Sequence, residues 1–261
     1  MIYYFSGTGN SRYVAQRLGA SIRQEARFIP ATNPYTETLG QEPDSSIGIV
    51  FPVYSWGVPP IVLDFLAHLP EAMMEDIRSR NIPLWCVATC GDETGDALTM
   101  LRKALRARNV DLSGAWSVIM PNVYVMLPGF GTDSASLEEK KLKESISRVT
   151  EIAGRIEKGD FAFDVHTGTF PRLRTSITYP LFRRWGVQTK RWHFTDTCIS
   201  CGKCARTCPV GNIAMSDGHP VWGTDCTSCC ACFHICPTNS IQYGRITRKM
   251  GQYSFRNPSE Q

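Results

Sequence analysis

Nine of the eleven cysteines in this 261-residue chain fall between positions 198 and 236, and eight of them form two copies of one spacing. Cys198, Cys201, Cys204 and Cys208 are followed by Pro209; Cys226, Cys229, Cys232 and Cys236 are followed by Pro237. Each copy reads C-x2-C-x2-C-x3-C-P. Three thiols at every third residue with a fourth close behind are the ligand supply of a cubane iron–sulfur cluster, so two [4Fe–4S] clusters are expected. The copies superimpose at a fixed offset, Cys198 on Cys226, Pro209 on Pro237 and Ile213 on Ile241. The stretch is therefore an internal repeat with an implied pseudo-twofold axis. Zinc is the rival metal, but zinc sites separate two C-x2-C knuckles by a longer loop. A disulfide framework fits less well, because no apolar signal stretch opens the chain and a reducing cytoplasmic setting is expected. Cys230 stands outside both spacings, where the first copy has Gly202, and is expected to be a small buried filler beside a cluster.

The length leaves room for one medium domain and one small one, and no apolar run approaches membrane-spanning length. The net charge of +4 hides an asymmetry: residues 1–165 carry 16 Lys+Arg against 20 Asp+Glu, and residues 166–261 carry 12 against 4. A cubane held by four thiolates brings a charge of about −2, so two of them would offset about half of the basic excess. Nucleic acid is not an expected partner, and zinc-stabilised nucleic-acid binding is the third of three functional readings.

At the N-terminus Ile2–Phe5 forms a short apolar strand, followed by Ser6-Gly7-Thr8-Gly9-Asn10-Ser11 and a helical pattern through Val14, Ala15 and Leu18. A strand, a glycine-rich turn and a helix start aim free backbone N–H groups at one point, which is an anion site. The turn lacks the lysine of a P-loop and the G-x-G-x-x-G of a dinucleotide site. Further buried strands are expected at Ile47–Phe51, Ile82–Thr89 and Ala115–Met120, with helices begun by Pro59-Pro60, over Ala97–Ala107 and over residues 137–158. Alternating strands and helices predict an α/β fold with a doubly wound, five-stranded parallel sheet. Its ligand loops lie at the C-terminal strand ends.

Ser6–Ser11 resembles the phosphate loop of flavodoxins, and residues 1–165 resemble a flavodoxin-like FMN domain. Pro52-Val53-Tyr54, Trp56-Gly57, Gly91 and Met120-Pro121-Asn122 follow, then a small α+β module over 193–246 with the paired motif of bacterial 2[4Fe–4S] ferredoxins. As a whole the chain resembles the ferrodoxin family of fused flavodoxin–ferredoxin proteins. The resemblance implies that Ser6, Gly7, Thr8, Gly9, Asn10 and Ser11 hold the FMN phosphate. Pro52, Tyr54, Trp56 and Gly57 would form the second flavin loop, and Thr89, Cys90, Gly91, Asp92 and Gly95 the third. Asp92 would be a ribityl or ring contact. Asp96 stands where short flavodoxins place an outer stacking tyrosine, which implies an open outer flavin face. The ferredoxin pattern implies crossed fourth ligands: Cys236 would join Cys198, Cys201 and Cys204, and Cys208 would join Cys226, Cys229 and Cys232.

Residues 166–192 connect the two domains and mix Arg172, Arg174, Arg183, Arg184, Lys190 and Arg191 with Phe170, Tyr179, Phe182, Trp185 and Trp192. The rings are expected to pack on the acidic first domain, and membrane-surface contact is not expected. Residues 247–261 are expected to be a loose polar tail. The function expected is electron carriage between FMN and two clusters, exchanging with redox partner proteins. The alternative is a flavin-dependent reductase acting directly on a quinone, nitro compound or dioxygen, its pocket lined by Tyr54, Trp56 and Tyr124.

Overall fold

A computed structural model of the protein describes residues 1–39, 46–186 and 188–257. β1 (Ile2–Tyr4), β2 (Ala26–Phe28), β3 (Ile47–Pro52), β4 (Leu84–Cys90), β5 (Gly114–Ile119) and β6 (Phe163–Asp164) form one sheet in the order β2-β1-β3-β4-β5-β6. Every pairing in it is parallel. The sheet is buried on both faces because its strands are apolar at odd and even positions alike. Ile2, Tyr4, Val50, Trp85 and Trp116 point to one side, where they meet α1 (Asn10–Ile22) and α5 (Ala135–Glu157) through Val14, Leu18, Val149 and Ile152. Tyr3, Phe5, Ile49 and Phe51 point to the other side. There they meet α2 (Pro60–His68), α3 (Glu71–Ser79) and α4 (Ala97–Arg106) through Phe65, Met73 and Leu101.

The order of the first five strands is the flavodoxin-like one. It differs from the expected sheet by one strand: β6, of two residues, adds a sixth position beyond β5. Phe163 and Asp164 are both exposed, so this edge strand carries none of the apolar signal by which a strand is read from sequence.

The second domain has β7 (Trp192–Phe194) paired antiparallel with β10 (Ile241–Tyr243), and a hairpin of β8 (Ile213–Ser216) and β9 (His219–Trp222). Asp217 (φ 49°) and Gly218 (φ 79°) make the hairpin turn, both with the positive φ that a two-residue type I′ connection demands. Two short helices, α7 (Lys203–Thr207) and α8 (Ala231–Ile235), complete the domain. The repeat seen in the cysteines is also a repeat of backbone conformation. Ser200, Gly202 and Gly211 are left-handed in the first copy, and Ser228, Cys230 and Asn239 are left-handed at the equivalent places in the second.

Between the domains runs α6 (Pro171–Leu181), continued by a π turn over Phe182–Gly186. Pro180 lies inside α6, where it removes a backbone donor and disfavours regular α-helix. The chain's end departs from the expected loose tail. Tyr253 is 2% exposed and sits against the first domain, whereas residues 258–261 lie outside the described residues.

Gly48 lies inside β3, a position that ordinarily favours a branched residue. The Trp85 indole occupies its side-chain space, and a Cβ added there would fall 2.5 Å from Trp85 Cζ2. Trp85 is fully buried, packs edge-on against Trp116 and donates from Nε1 to Ser46 Oγ at 2.9 Å, so it cannot move aside. Gly48→Ala is expected to destabilise the first domain by about 1–3 kcal/mol through overpacking, read as a lower urea midpoint with an unchanged slope.

Candidate functional site

The fold sorts the eight motif cysteines into two groups. One small cavity is lined by Cys198, Cys201, Cys204 and Cys236. A second is lined by Cys208, Cys226, Cys229 and Cys232, with Cys230 beside them. Each group takes three thiols from one copy of the repeat and the fourth from the other. The thiols surround a space instead of converging on a point. Among the described residues no three His, Cys, Asp or Glu side chains close to single-ion distance, the arrangement a tetrahedral zinc needs at about 2.3 Å Zn–S.

Backbone donors meet the crossing sulfurs symmetrically: Asn212 N–H donates to Cys208 Sγ and Ser240 N–H to Cys236 Sγ, each at 3.2 Å. Such N–H···S bonds stabilise negative charge on cluster sulfurs. Beyond them the two sites diverge. Around the second, Trp192 Nε1, Trp222 Nε1 and Thr227 Oγ1 are buried with no nitrogen or oxygen partner among the described residues. They are aimed at Cys226, Cys232 and Cys229 respectively. Burial pushes the Cys229 thiol up to about 11 and raises Cys232 well above the usual thiol range. Thiols so enclosed ionise together only against a cationic core, which the irons of a cluster supply. The orphan donors and crowded thiols therefore fit the cluster that the motif implies. At the first site burial again opposes ionisation of Cys236, but hydrogen bonds from Ser240, Ile241 and Thr238 outweigh it and lower that thiol.

In the first domain β1, β3 and β4 are adjacent, so the loops that follow them lie side by side at one sheet edge. The structure brings the three predicted loops together. Ser11 Oγ and Thr89 Oγ1 are 2.8 Å apart, and Asn10 Nδ2 donates to Pro121 O at 3.0 Å. Gly9, at φ 108°, begins α1 without a side-chain cap, and such a helix start presents unsatisfied N–H groups suited to a phosphate. The glycine faces of the loop are already in use. A Cβ on Gly7 would sit 2.5 Å from Cys229 Cβ and 3.2 Å from its Sγ, and one on Gly9 would sit 2.9 Å from Phe255 Cβ. Ser6 and Thr8 are both half-buried, and Ser6 Oγ accepts from Gly9 N–H at 3.2 Å.

The second loop holds a type I′-like turn at Ser55 (φ 48°) and Trp56 (φ 61°), closed by reciprocal 2.9 Å bonds between the Tyr54 and Gly57 backbones. Left-handed conformation costs a non-glycine residue about 1–2 kcal/mol, and α6 holds the turn there. Thr175 Oγ1 donates to Trp56 O at 2.9 Å, and Tyr179 OH donates to Val58 O at 2.5 Å. Trp56 Nε1 donates to Glu93 Oε1 at 2.7 Å; Arg174 pairs with the same carboxylate and lies 5.4 Å over the indole. Asp96 N–H donates to Thr175 Oγ1 at 3.0 Å, so α6 lies against the position whose residue type implied an open flavin face. Tyr54 packs between Phe5 and Phe182. Its phenol is raised well above the ordinary range, by burial first and then by Cys229, Cys230 and Cys226 nearby.

The third loop is pinned by Asn122, which the resemblance includes, and by Asp133 and Lys141, which sequence reasoning missed. Gly91 abuts Asn122, whose Nδ2 donates to Asp133 Oδ1 at 3.0 Å, and Lys141 Nζ lies 2.8 Å from Asp133 Oδ2 and 3.6 Å from Asp92. Burial opposes the Asp133 carboxylate, yet the bonds from Lys141 and Asn122 prevail and lower it. Cys90 is buried and pushed up to about 12 by that burial and by Asp92, which makes it an inert core thiol.

The C-terminal segment closes the junction of the domains. Tyr253 OH donates to Asn10 Oδ1 at 2.6 Å, Tyr253 N–H donates to His234 Nδ1 at 3.0 Å, and Gln252 Nε2 donates to Phe233 O and Cys236 O. His234 Nε2 in turn donates to Val123 O at 2.7 Å. Facing one donor and one acceptor, the imidazole is neutral, and its burial lowers it to about 4.

Residues 192–214 match the family model described as a 4Fe-4S binding domain, so the second domain is an iron–sulfur domain. No curated protein matches the chain. Among solved structures, the rubredoxin oxygen:oxidoreductase of the anaerobe Desulfovibrio gigas overlaps it with a TM-score of 0.37 at 13% identity, covering 60% of this chain and 35% of that one. The Trp repressor binding protein of Bacillus subtilis overlaps with a TM-score of 0.39 at 13% identity, covering 60% of this chain and 96% of that one. The chain thus spans about a third of the length of the first of these. The molecule joins a flavodoxin-like α/β domain, recognised by its strand order, to a ferredoxin-like domain.

Two outcomes follow from this geometry. Cys208→Ala is expected to abolish the cluster of the second copy and Cys236→Ala that of the first, each leaving about half the iron and removing one of two electron paramagnetic resonance signals of the reduced protein. Lys141→Met leaves Asp133 as an unpaired buried carboxylate and is expected to cost about 3–5 kcal/mol at neutral pH. Because Asp133 is lowered in the fold, its contribution is complete above the unfolded carboxyl value of about 3.9 and is lost as pH falls through the folded value. Urea midpoints of parent and Lys141→Met should therefore converge in acid.

Proposed function

We propose that this protein carries electrons between an FMN held by the three loops of the first domain and two [4Fe–4S] clusters held by the two cysteine groups. Redox proteins would act as donor and acceptor. When bound, FMN supplies a two-electron centre and each cluster a one-electron centre.

The observation that carries the proposal is the contact of Gly7 with Cys229. Gly7 and Cys229 are in van der Waals contact, which supports two cofactor sites that would share a wall. Tyr54 lies at the same wall, close enough for Cys229, Cys230 and Cys226 to act on its phenol. The first cysteine group lies farther out, where Ile199 is 62% exposed beside it. On this reading the sites would lie in series, from the loops through the second cysteine group to the first and then to solvent. Fusion replaces a diffusional encounter of two carriers by an intramolecular one. The roles of individual residues are modest: Ser6, Thr8 and the α1 start would hold a phosphate, Tyr54 and Trp56 would flank the ring system, and the indole and amide donors would bear on the thiolates.

Anaerobic reconstitution with iron, sulfide and FMN should load flavin and both clusters. Photoreduction should then bleach the flavin and cluster bands together, and re-oxidation should be fast only with a second redox protein. Stoichiometric zinc without sulfide, or failure to retain flavin, would overturn the proposal. Rapid turnover of a quinone or nitro compound by the reduced protein alone would replace the carrier with a reductase.

A further inference from the structure

Three side-chain donors at the second cysteine group lack partners of their own. Trp192 Nε1, Trp222 Nε1 and Thr227 Oγ1 are buried and meet no nitrogen or oxygen among the described residues. All three residues line the cavity of Cys208, Cys226, Cys229 and Cys232. Trp192 faces Cys226, Trp222 faces Cys232 and Thr227 faces Cys229, yet no hydrogen bond is completed. A neutral thiol is a weak acceptor, whereas anionic sulfur is a strong one. The strands hold both indoles in place: Trp192, on β7, lies edge-on to Tyr243 at 5.0 Å, and Trp222, on β9, stands opposite Ile213.

The repeat shows that the fold itself does not demand these donors. At the offset that superimposes Cys198 on Cys226, Trp192 corresponds to Pro220, Trp222 to Phe194 and Thr227 to Ile199. None of these three carries a side-chain donor, although Pro220 and Ile199 line the first cavity. The hydroxyls bonded to sulfur there, Ser240 Oγ at 3.4 Å and Thr238 Oγ1 at 3.7 Å, both lie on the crossing Cys236. The second group's donors fall instead on the three thiols of its own copy. Burial and donors act in opposite directions on such a site. Cys232 is 9% exposed, and Gly7 of the first domain abuts Cys229, so negative charge added there is poorly solvated and disfavoured. Beside the first group Ile199 is 62% exposed. With equal donors the second group would therefore be the harder to reduce. A donor aimed at sulfur is held more strongly as that sulfur gains negative charge, so it favours the reduced form.

We propose that the indoles of Trp192 and Trp222, with the Thr227 hydroxyl, hold up the reduction potential of the second cysteine group's cluster, which burial alone would depress. They are positioning residues, acting through the sulfurs. The inference rests on the reading that each cysteine group carries a [4Fe–4S] cluster.

The test is a redox titration, followed by electron paramagnetic resonance, of the full chain reconstituted anaerobically and of its Trp192→Phe, Trp222→Phe and Thr227→Val variants. Cys236→Ala and Cys208→Ala, each retaining one cysteine group, assign the two signals. Each Phe variant keeps an apolar ring and removes the N–H. It is expected to shift the reduction equilibrium of the second group's cluster about tenfold toward the oxidised form, about 59 mV lower, and to leave the first unmoved. Thr227→Val, nearly the same shape, is expected to shift the same equilibrium about threefold in the same direction. A role in packing alone predicts the opposite sign, because a smaller ring admits water and solvent exposure raises the potential. A rise, an unchanged potential, or an equal fall at both clusters would overturn the proposal. If the Phe variants fail to retain a cluster, the sign of the Thr227→Val shift decides it. Reconstitution of the parent without acid-labile sulfide or either signal would overturn the cluster reading itself, and this inference with it.

Discussion

The second domain is built around thiols that must be ionised together inside protein. A module of this size buries too little apolar surface to be secure by itself, and its core shows the deficit. Cys204, Cys230, Cys232 and Cys236 are core members beside Trp192, Phe233 and Ile241. Four of the buried groups at its centre are thus thiols whose charged form burial opposes, with Cys236 alone lowered by its donors. Metal–thiolate bonding would resolve the conflict for Cys204, Cys232 and Cys236, and a crossed fourth ligand would make it cooperative, since each half of the repeat would then complete the other's site. The positive-φ residues that recur in both copies follow from the same demand. A chain that presents three sulfurs to one small object within seven residues must reverse direction between them.

A module so organised gains from a rigid neighbour, and three elements supply one. α6 fastens the second loop through Thr175 and Tyr179, the C-terminal segment fastens Asn10 and His234, and Cys229 rests on Gly7. The strain at Ser55 and Trp56 belongs to this arrangement, because the carbonyl of Trp56 is the acceptor that α6 uses. Two consecutive left-handed non-glycine residues would open readily in an isolated loop. Here they persist because Thr175, 119 residues further along the chain, returns on α6 to bind them, which ties the connecting segment to the geometry of the loops.

Much of this was legible in the chain, and the illegible parts have physical causes. Long buried strands announce themselves, and so does the cysteine spacing, since each demands particular residue types at fixed intervals. Strands β2 and β6 did not, because a short edge strand needs only backbone partners and here carries Arg27 or exposed side chains. The β8–β9 hairpin left a readable sign in Asp217-Gly218, a pair suited to a type I′ turn. Helix α3 left one in the spacing of Met73, Met74 and Ile77. The Asp133–Lys141 pair left none, because two oppositely charged residues eight positions apart look like ordinary solvated surface. The tail was misjudged for a similar reason. Gln252, Tyr253 and Phe255 are too few to form a pattern, and their burial depends on where the other domain lies.

That dependence can be read from the repeat once the two copies are compared position by position. Where the first copy has Lys203 the second has Ala231, and where the first has Arg206 the second has His234. Lys203 and Arg206 are exposed; Ala231 is 4% exposed and His234 9%. Pseudo-symmetric backbones do not require this exchange, since both helices are equally able to carry charge on an outer face. One copy faces water and the other faces a second domain, so a cation tolerated in the first would be stranded in the second. His234 shows how the buried position is met, with a neutral ring bonded to Val123 on one side and Tyr253 on the other. The same substitutions that seat the second copy leave the first copy's site at the surface, so the polarity of the redox module is written into the departures from its own symmetry.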